Sequence, residues 1–243
     1  MIDGRIELEN FIHSEEFFGN SFSEMSQNTS LLTLENANSK SIPSASDYLV
    51  TFSTHSHSYC VGYVDIVNST KISASLYADK LSMYYEIFLN SMSKIIGKLG
   101  GKVIKNIGDC LLYYFPNSVN SSEDGLASCL DCGLAMLSAR KIISEEMLSK
   151  GLPKINYRIS ADYGAVIKMN TSNSPLVDLI GPPVNMCAKI NHCAGYNEFV
   201  IGSDFYQCAK KLPDYEYEEI KSCDVGFKYS YPVYRVSERF SRF

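Results

Sequence analysis

The pattern of apolar and polar positions divides the chain near residue 58. Ser and Thr occupy fifteen of the 38 positions from 21 to 58, and this stretch shows no sustained helical or strand period. We therefore interpret residues 1–57 as an N-terminal arm that is partly linker and partly disordered. Within the arm, the apolar residues of Ile6–Phe18 predict a short helix that docks on the rest of the protein. Residues 58–243 form one folded domain.

Strand and helix patterns alternate in this second part. The run Tyr59–Val67 is apolar and rich in β-branched and aromatic residues, which predicts a buried strand. From Ala78 to Leu99 apolar residues recur at helical spacing, and Gly100 then ends the helix. Two strands follow, over Lys102–Asn106 and Cys110–Phe115, and a capping box of Asn120 and Glu123 then begins a helix that runs to about Ser149. The remaining predicted elements are a hairpin of Asn156–Ala161 and Ala165–Met169, a helix over Pro183–Ala194, a strand over Glu198–Ile201, a helix over Ser203–Leu212, and a terminal hairpin over Tyr215–Val236.

The order of these elements indicates the fold class. Reduced to its core, the order is strand, helix, strand, strand, helix, strand. This order is typical of an α+β, ferredoxin-like sandwich, in which helices pack on an antiparallel-rich sheet.

Composition narrows the classes of function. The 243 residues include 22 Lys and Arg against 27 Asp and Glu, a net charge of −5, so we expect no nucleic-acid partner. No apolar run approaches the roughly 18 residues that a membrane-spanning helix needs, and the start of the chain lacks the pattern of a signal peptide. The eight cysteines then indicate reduced thiols rather than a disulfide framework. We expect a cytoplasmic protein that does not associate with a membrane.

Two aspartates are the main candidates for chemistry. Asp65 lies near the end of the first predicted strand, and Asp109 lies on the turn between the next two strands. If those strands are neighbours in the sheet, both carboxylates project from one edge, where oxygen ligands suit Mg²⁺ or Mn²⁺. Taken singly, each residue has an ordinary explanation, Asp65 as a helix cap and Asp109 as a turn residue.

Three segments carry a resemblance to a known family. VDIVNST (Val64–Thr70), KNIGD (Lys105–Asp109) and DLIGPPVNMCAK (Asp178–Lys189) resemble the signature segments of the class III nucleotidyl cyclases, in the same order along the chain. The two aspartates are 44 residues apart, which also fits. The resemblance covers residues from about 59 to 236, and several motifs in register are more specific than any single one.

The resemblance implies a metal site and an adenylate cyclase activity. Asp65 and Asp109 would bind two divalent metal ions, Mg²⁺ or Mn²⁺, with the carbonyl of Ile66 as a further ligand. Such a pair of ions assists attack of the ribose 3′-hydroxyl on the α-phosphate of ATP, which gives 3′,5′-cyclic AMP and pyrophosphate.

Lys105 and Asp178 occupy the two positions that select the base in the resembled family. Adenine offers an acceptor at N1 and a donor at its 6-amino group, which match a Lys that only donates and an ionised Asp that only accepts. Guanine presents the reverse pattern, and two buried mispaired groups cost about 1–3 kcal/mol each. We therefore expect ATP rather than GTP as the substrate.

Further positions carry over from the family. Asn185 would orient the ribose, and Lys189 takes the position of the transition-state cation, which is usually Arg. Lys228 lies near where the family places a cation for the terminal phosphates, with Lys221 as a rival. A Lys at position 189 is a point charge without the planar fork of Arg, so a rate about tenfold to a hundredfold lower would follow.

In the resembled family the active sites form between two protomers, so the resemblance implies a homodimer. An alternative is a degenerate cyclase-like domain that binds ATP and dimerises as a regulatory sensor without turnover. A third, weaker interpretation is the palm of another nucleotidyl-transfer family such as the diguanylate cyclases. Their GG(D/E)EF turn is absent, because the turn here is Ile107-Gly108-Asp109-Cys110.

Overall fold

The computed structural model describes residues 2–18, 49–172, 177–221, 223, 225–226 and 230–239. The helices are α1 (Ile2–Ile12), α2 (Glu15–Phe18), α3 (Ser69–Ser75), α4 (Ala78–Lys98), α5 (Glu123–Ser149), α6 (Pro182–Asn191) and α7 (Ser203–Ala209). The strands are β1 (Val50–Ile66), β2 (Lys102–Ile107), β3 (Cys110–Phe115), β4 (Tyr157–Thr171), β5 (Val177–Ile180), β6 (Phe199–Gly202), β7 (Tyr215–Glu219) and β8 (Val233–Glu238).

All eight of these strands belong to one sheet. Its order is β2-β3-β1-β4-β6-β8-β7, and β5 pairs with β4 beside this path. Every pair is antiparallel except β4 with β6. The strands of the predicted core are therefore adjacent in the order β2-β3-β1-β4, the arrangement of a ferredoxin-like sandwich. The predicted α+β class is confirmed.

The main core lies between one face of the sheet and the long helices α4 and α5. Its largest side chains include Tyr84, Phe88 and Tyr157, all fully buried. The N-terminal helices close the outer side of this layer, because Ile12 and Phe17 are buried and Lys94 donates a hydrogen bond to the carbonyl of Phe17 at 2.8 Å. The predicted helical segment over Ile6–Phe18 is docked on the domain, but it forms two helices, Ile2–Ile12 and Glu15–Phe18, rather than one.

The opposite face of the sheet carries a second, smaller apolar cluster. It contains Val61 of β1 and Leu112 of β3, with Tyr63 packed against it. Alternation along β1 therefore sends Val64 and Ile66 into the main core and the side chains of Tyr63 and Asp65 to this second face. We call it the site face, because the side chain of Asp65, a predicted metal-binding residue, lies there.

Several predicted elements differ from the structure. Strand β1 begins at Val50, so eight residues of the segment 1–57 belong to it, and five of them pair with β4. The predicted hairpin around Asp162-Tyr163-Gly164 is wrong, because β4 runs through these residues as one strand of 15 residues. The capping box is also wrong. Helix α5 has Ser122 at its N-cap, and Asn120 lies in the preceding 3₁₀ segment with a φ of 56°.

The cysteines follow the prediction only in part. The thiols of six cysteines are free. Cys193, which follows α6, is paired in a disulfide with Cys223, and their Cα atoms are 5.3 Å apart. The prediction of reduced thiols is wrong for this pair, because Cys223, which lies between β7 and β8, is in contact with the end of α6, a segment distant in sequence.

Candidate active site

The two candidate metal-binding aspartates lie side by side on the site face. Asp65 is directly opposite Cys110 in the β1–β3 ladder, and Asp109 precedes Cys110 in the β2–β3 turn. Gly108 has a φ of 62° in that turn, a conformation that favours glycine. One ligand atom from each of Asp65, Asp109 and Cys110 lies within 4.8 Å of the others. The structure therefore meets the expectation that both carboxylates project from one edge.

The electrostatics of this cluster suit a cation. Burial raises the pKa of Asp65, and the nearby carboxylate of Asp109 adds to the increase, although the thiol of Cys110 donates a hydrogen bond that opposes it. A divalent cation between the two carboxylates would relieve their mutual repulsion, and carboxylate oxygens are the ligands that Mg²⁺ and Mn²⁺ prefer. The donor set therefore fits such an ion. Ile66 is buried at the last position of β1, and the part of its carbonyl in metal binding stays a prediction.

The two candidate base-selecting residues are in contact with each other. The ammonium group of Lys105 on β2 donates a hydrogen bond to Oδ2 of Asp178 on β5, and the two form a salt bridge. Oδ1 of Asp178 accepts a hydrogen bond from the backbone N–H of Leu179 at 2.8 Å. The lysine side chain is 42% exposed, so the pair is open to solvent on one side. One donor and one acceptor are thus held together at the edge of the site face.

Asn185 and Lys189 lie one helical turn apart on α6, and both are exposed. They line an open groove of about 740 Å³, together with Ile180, Gly181, Pro182, Met186 and Ala188. The double proline of the sequence supplies the first two residues of α6, where a missing N–H costs nothing. Neither Asp65 nor Asp109 is among the residues that line this groove. Within one chain, the candidate catalytic residues therefore form separate groups.

Two lysines are the candidates for contact with the terminal phosphates. Lys228 lies outside the described residues. Lys221 is exposed just after β7. The choice between these two lysines stays a prediction from the sequence.

Two residues at the site were missed by sequence reasoning. The hydroxyl of Tyr63 donates a hydrogen bond to Sγ of Cys110 at 2.8 Å, and the thiol of Cys110 donates to Oδ1 of Asp65 at 3.0 Å. Burial raises the pKa of Cys110 to about 12, with the negative charge of Asp65 contributing. The alternation of β1 places Tyr63 on the face of Asp65, a signal that was present in the sequence. The contact with Cys110 depends on the register between β1 and β3.

Residues 52–237 match the family model described as the adenylate and guanylate cyclase catalytic domain. The chain belongs to this family. Among residues that the structure describes, no helix is long and apolar enough to cross a membrane.

Two curated relatives are named after a cytidine nucleotide, whereas the sequence predicts ATP as the substrate. A cytidylate cyclase of Staphylococcus aureus is 22% identical over 201 residues, which are 79% of this chain and 48% of the relative. A cytidylate cyclase of Escherichia coli is 25% identical over 172 residues, 66% of this chain and 37% of the relative. The chain thus spans less than half the length of these two relatives.

Solved structures confirm the fold. The adenylyl cyclase CyaB of P. aeruginosa has a TM-score of 0.69 at 23% identity, over 77% of this chain and 97% of that one. The guanylate cyclase domain of RhGC from Catenaria anguillulae, solved in complex with GTP, has a TM-score of 0.66 at 20% identity, over 76% of this chain and all of that one. At these identities the likeness concerns the fold and carries no information on the substrate.

Proposed function

We propose that this protein is an adenylate cyclase that acts as a homodimer with two divalent metal ions. The observation that carries the proposal is the cluster of Asp65 and Asp109, whose ligand atoms lie within 4.8 Å at the ends of paired strands, in a chain of the cyclase family. Two carboxylates at this separation suit a pair of ions on a triphosphate.

The proposed reaction forms one phosphorus–oxygen bond and breaks another. The 3′-oxygen of the ribose attacks the α-phosphorus in line, the bond from this phosphorus to the oxygen shared with the β-phosphate breaks, and pyrophosphate leaves. The proton of the hydroxyl passes to a base or to water. When bound, the divalent ions lower the pKa of the hydroxyl and neutralise charge on the phosphates. Asn185 would orient the ribose, and Lys189 would face the charge that develops on the phosphorus oxygens.

Base selection rests on the pair of Lys105 and Asp178. Their contact supports this role, because it places one donor and one acceptor next to each other. Adenine presents the complementary acceptor and donor at N1 and the 6-amino group, whereas guanine presents neither in the required place. This chemistry supports ATP over GTP.

CTP is a second candidate substrate, favoured by the names of the two curated relatives. Cytosine carries an acceptor at N3 next to its 4-amino donor, the same pattern that adenine carries at N1 and the 6-amino group. Lys105 and Asp178 therefore match both bases by hydrogen bonding and reject both guanine and uracil. ATP and CTP differ in the size of the base rather than in the pattern that this pair reads.

The distribution of the site residues supports a dimer. The groove on α6 offers Asn185 and Lys189 to solvent without either metal-binding aspartate. A second copy of the chain that brings its Asp65 and Asp109 to this groove would complete the site. A homodimer would contain two such sites.

The test is product formation from ATP, CTP, GTP and UTP, each with Mn²⁺ and then with Mg²⁺, over a range of protein concentrations. Cyclic AMP at a specific activity that rises with protein concentration supports the dimeric adenylate cyclase. Cyclic CMP as the main product would transfer the assignment to the second candidate. Binding of ATP without any cyclic product would favour the sensor that dimerises without turnover.

Asp109→Ala is the companion variant, and we expect it to abolish activity without loss of the folded state. Asp79→Ala is the matched control, because Asp79 is an exposed acid in the first turn of α4. Turnover by the Asp109 variant at the wild-type rate would refute the metal assignment.

A further inference from the structure

The metal-binding aspartate of β1 is held by a short chain of hydrogen bonds. The hydroxyl of Tyr63 donates to Sγ of Cys110 at 2.8 Å, and the thiol of Cys110 donates to Oδ1 of Asp65 at 3.0 Å. This series of hydrogen bonds crosses from β1 to β3 and back to β1. Sγ of Cys110 is also 4.0 Å from Oδ1 of Asp109, so the thiol lies between the two carboxylates.

The sheet register fixes all three groups. Asp65 is paired with Cys110 and Tyr63 with Leu112, so the three side chains project from the same face of adjacent strands. Cys110 is 6% exposed, so its thiol is shielded from water, and Asp65 at 3.0 Å is much nearer to it than Asp109 at 4.0 Å. The apolar cluster under Tyr63 holds the phenol ring in place. The donors are thereby fixed before any ligand arrives.

A carboxylate whose Oδ1 accepts a fixed hydrogen bond cannot rotate freely about its Cβ–Cγ bond. Its other oxygen then keeps one direction relative to Asp109. Groups that orient metal ligands in this way typically change metal affinity by about tenfold to a hundredfold when they are removed.

We propose that Cys110 is a positioning residue for the metal site, and that Tyr63 supports it by orienting its thiol. Cys110 acts as a hydrogen-bond donor to Asp65 and not as a metal ligand. This inference rests on the proposed function only in that Asp65 and Asp109 hold a divalent ion.

The test is direct titration of the full chain with Mn²⁺, with the free ion measured by its electron paramagnetic resonance signal. We expect Cys110→Ala to weaken Mn²⁺ binding about tenfold and Cys110→Ser to stay within about threefold of the wild type, because a hydroxyl can donate the same hydrogen bond. Tyr63→Phe should fall between the two. An affinity of Cys110→Ala equal to that of the wild type would overturn the proposal.

A matched control separates this effect from the loss of a buried thiol. Cys187 is fully buried, and its thiol donates a hydrogen bond to the carbonyl of Val61 at 3.0 Å, away from the carboxylates. Cys187→Ala should leave Mn²⁺ binding unchanged, and thermal unfolding of each variant reports whether it is folded. Equal losses from Cys187→Ala and Cys110→Ala would show a general structural effect and overturn the proposal.

Two further outcomes separate this inference from its premise. A loss of affinity in Cys110→Ser as large as in Cys110→Ala would identify the sulfur as a ligand and overturn the donor role. Asp109→Ala should lose Mn²⁺ binding altogether. Mn²⁺ binding by Asp109→Ala at the wild-type affinity would refute the assignment of the metal site, and with it the proposed function. Loss of Mn²⁺ binding in Asp109→Ala, together with normal Mn²⁺ binding in Cys110→Ala, would refute only the positioning role of Cys110.

Discussion

Asp65 and Cys110 face each other across the β1–β3 ladder, and the thiol of Cys110 donates a hydrogen bond to the carboxylate of Asp65 at 3.0 Å. Since Asp109 is the residue before Cys110, the same register brings the second carboxylate into the cluster. A shift of one residue between these strands would turn one of the partners to the opposite face. The candidate metal site therefore depends on strand pairing as much as on the identity of its acids.

Exchange of the base-selecting pair should change the preferred substrate. Lys105→Glu combined with Asp178→Ser offers an acceptor to N1–H of guanine and a donor to its O6. We expect the ratio of kcat/KM for ATP to that for GTP to fall at least a hundredfold, because two mispaired groups cost about 1–3 kcal/mol each. The measurement is initial rate for both nucleotides, with Lys168→Glu on the exposed part of β4 as the control. An unchanged ratio in the double variant would contradict the assignment of the pair.

Lys189→Arg should raise kcat if the protein is an enzyme. A guanidinium can contact two oxygens of the transition state at once, whereas an ammonium contacts them one at a time. We therefore expect kcat to rise about tenfold. The measurement is kcat at saturating nucleotide, with Lys168→Arg as a control that adds the same group elsewhere. Absence of activity in both the wild type and the Lys189 variant would support the sensor.

Asp162 should make stability depend on pH. Burial raises the pKa of Asp162 to about 7, although Tyr231 lowers it by donating a hydrogen bond at 2.7 Å. Between pH 4 and pH 7 the folded state therefore keeps a proton on Asp162 that the unfolded state has released. The contribution of Asp162 to the stability of the folded state is largest below pH 4 and is lost as the pH rises to 7. The free energy of unfolding should fall by up to about 1.4 kcal/mol for each pH unit in this range.

Asp162→Asn tests this dependence, because an amide does not titrate. In urea unfolding at pH 5, 6, 7 and 8, the free energy of unfolding should decrease less with rising pH for the variant than for the wild type. This difference in slope is expected even if the two proteins differ in stability at a given pH. Asp79→Asn, on the surface of α4, should follow the wild type. Parallel curves for Asp162→Asn and the wild type would refute the role of this carboxyl.

The pairing of Cys193 with Cys223 should stabilise the oxidised protein. The two residues are 30 positions apart, and closing a loop of this length lowers the conformational entropy of the unfolded chain, which is worth about 3.6 kcal/mol. Urea unfolding with and without dithiothreitol should show this difference in the wild type. A double variant with Ser at both positions should have the lower stability and no response to the reductant. A wild type that is indifferent to dithiothreitol would show that the bond does not form.

Local signals predicted much of the fold and the edge that carries the candidate metal ligands. The apolar run that ends near Asp65, the glycine before Asp109 and the helical spacing from Ala78 each report on neighbours in sequence. These signals gave α4, the β2–β3 hairpin and the position of both carboxylates. The roles of Asn185 and Lys189 depend on a family resemblance, because nothing in their local pattern points to chemistry.

Features that depend on distant partners were not predictable. Asp162 resembled a turn residue, yet it is buried in β4, where it accepts hydrogen bonds from the hydroxyl of Tyr231 and the backbone N–H of Phe205. These partners lie more than 40 residues away, so no local pattern indicates them. The donor role of Cys110 was hidden for the same reason. Its relation to Tyr63 appears only when β1 and β3 are aligned.

The salt bridge between Lys105 and Asp178 joins β2 to β5, two strands that are not neighbours in the sheet. A base that accepts from the lysine and donates to the aspartate replaces this direct link with one that passes through itself. Strand β2 continues within a few residues into the turn that carries Asp109. If the proposed roles hold, a base bound between Lys105 and Asp178 would therefore act on the strand that leads into the turn of Asp109.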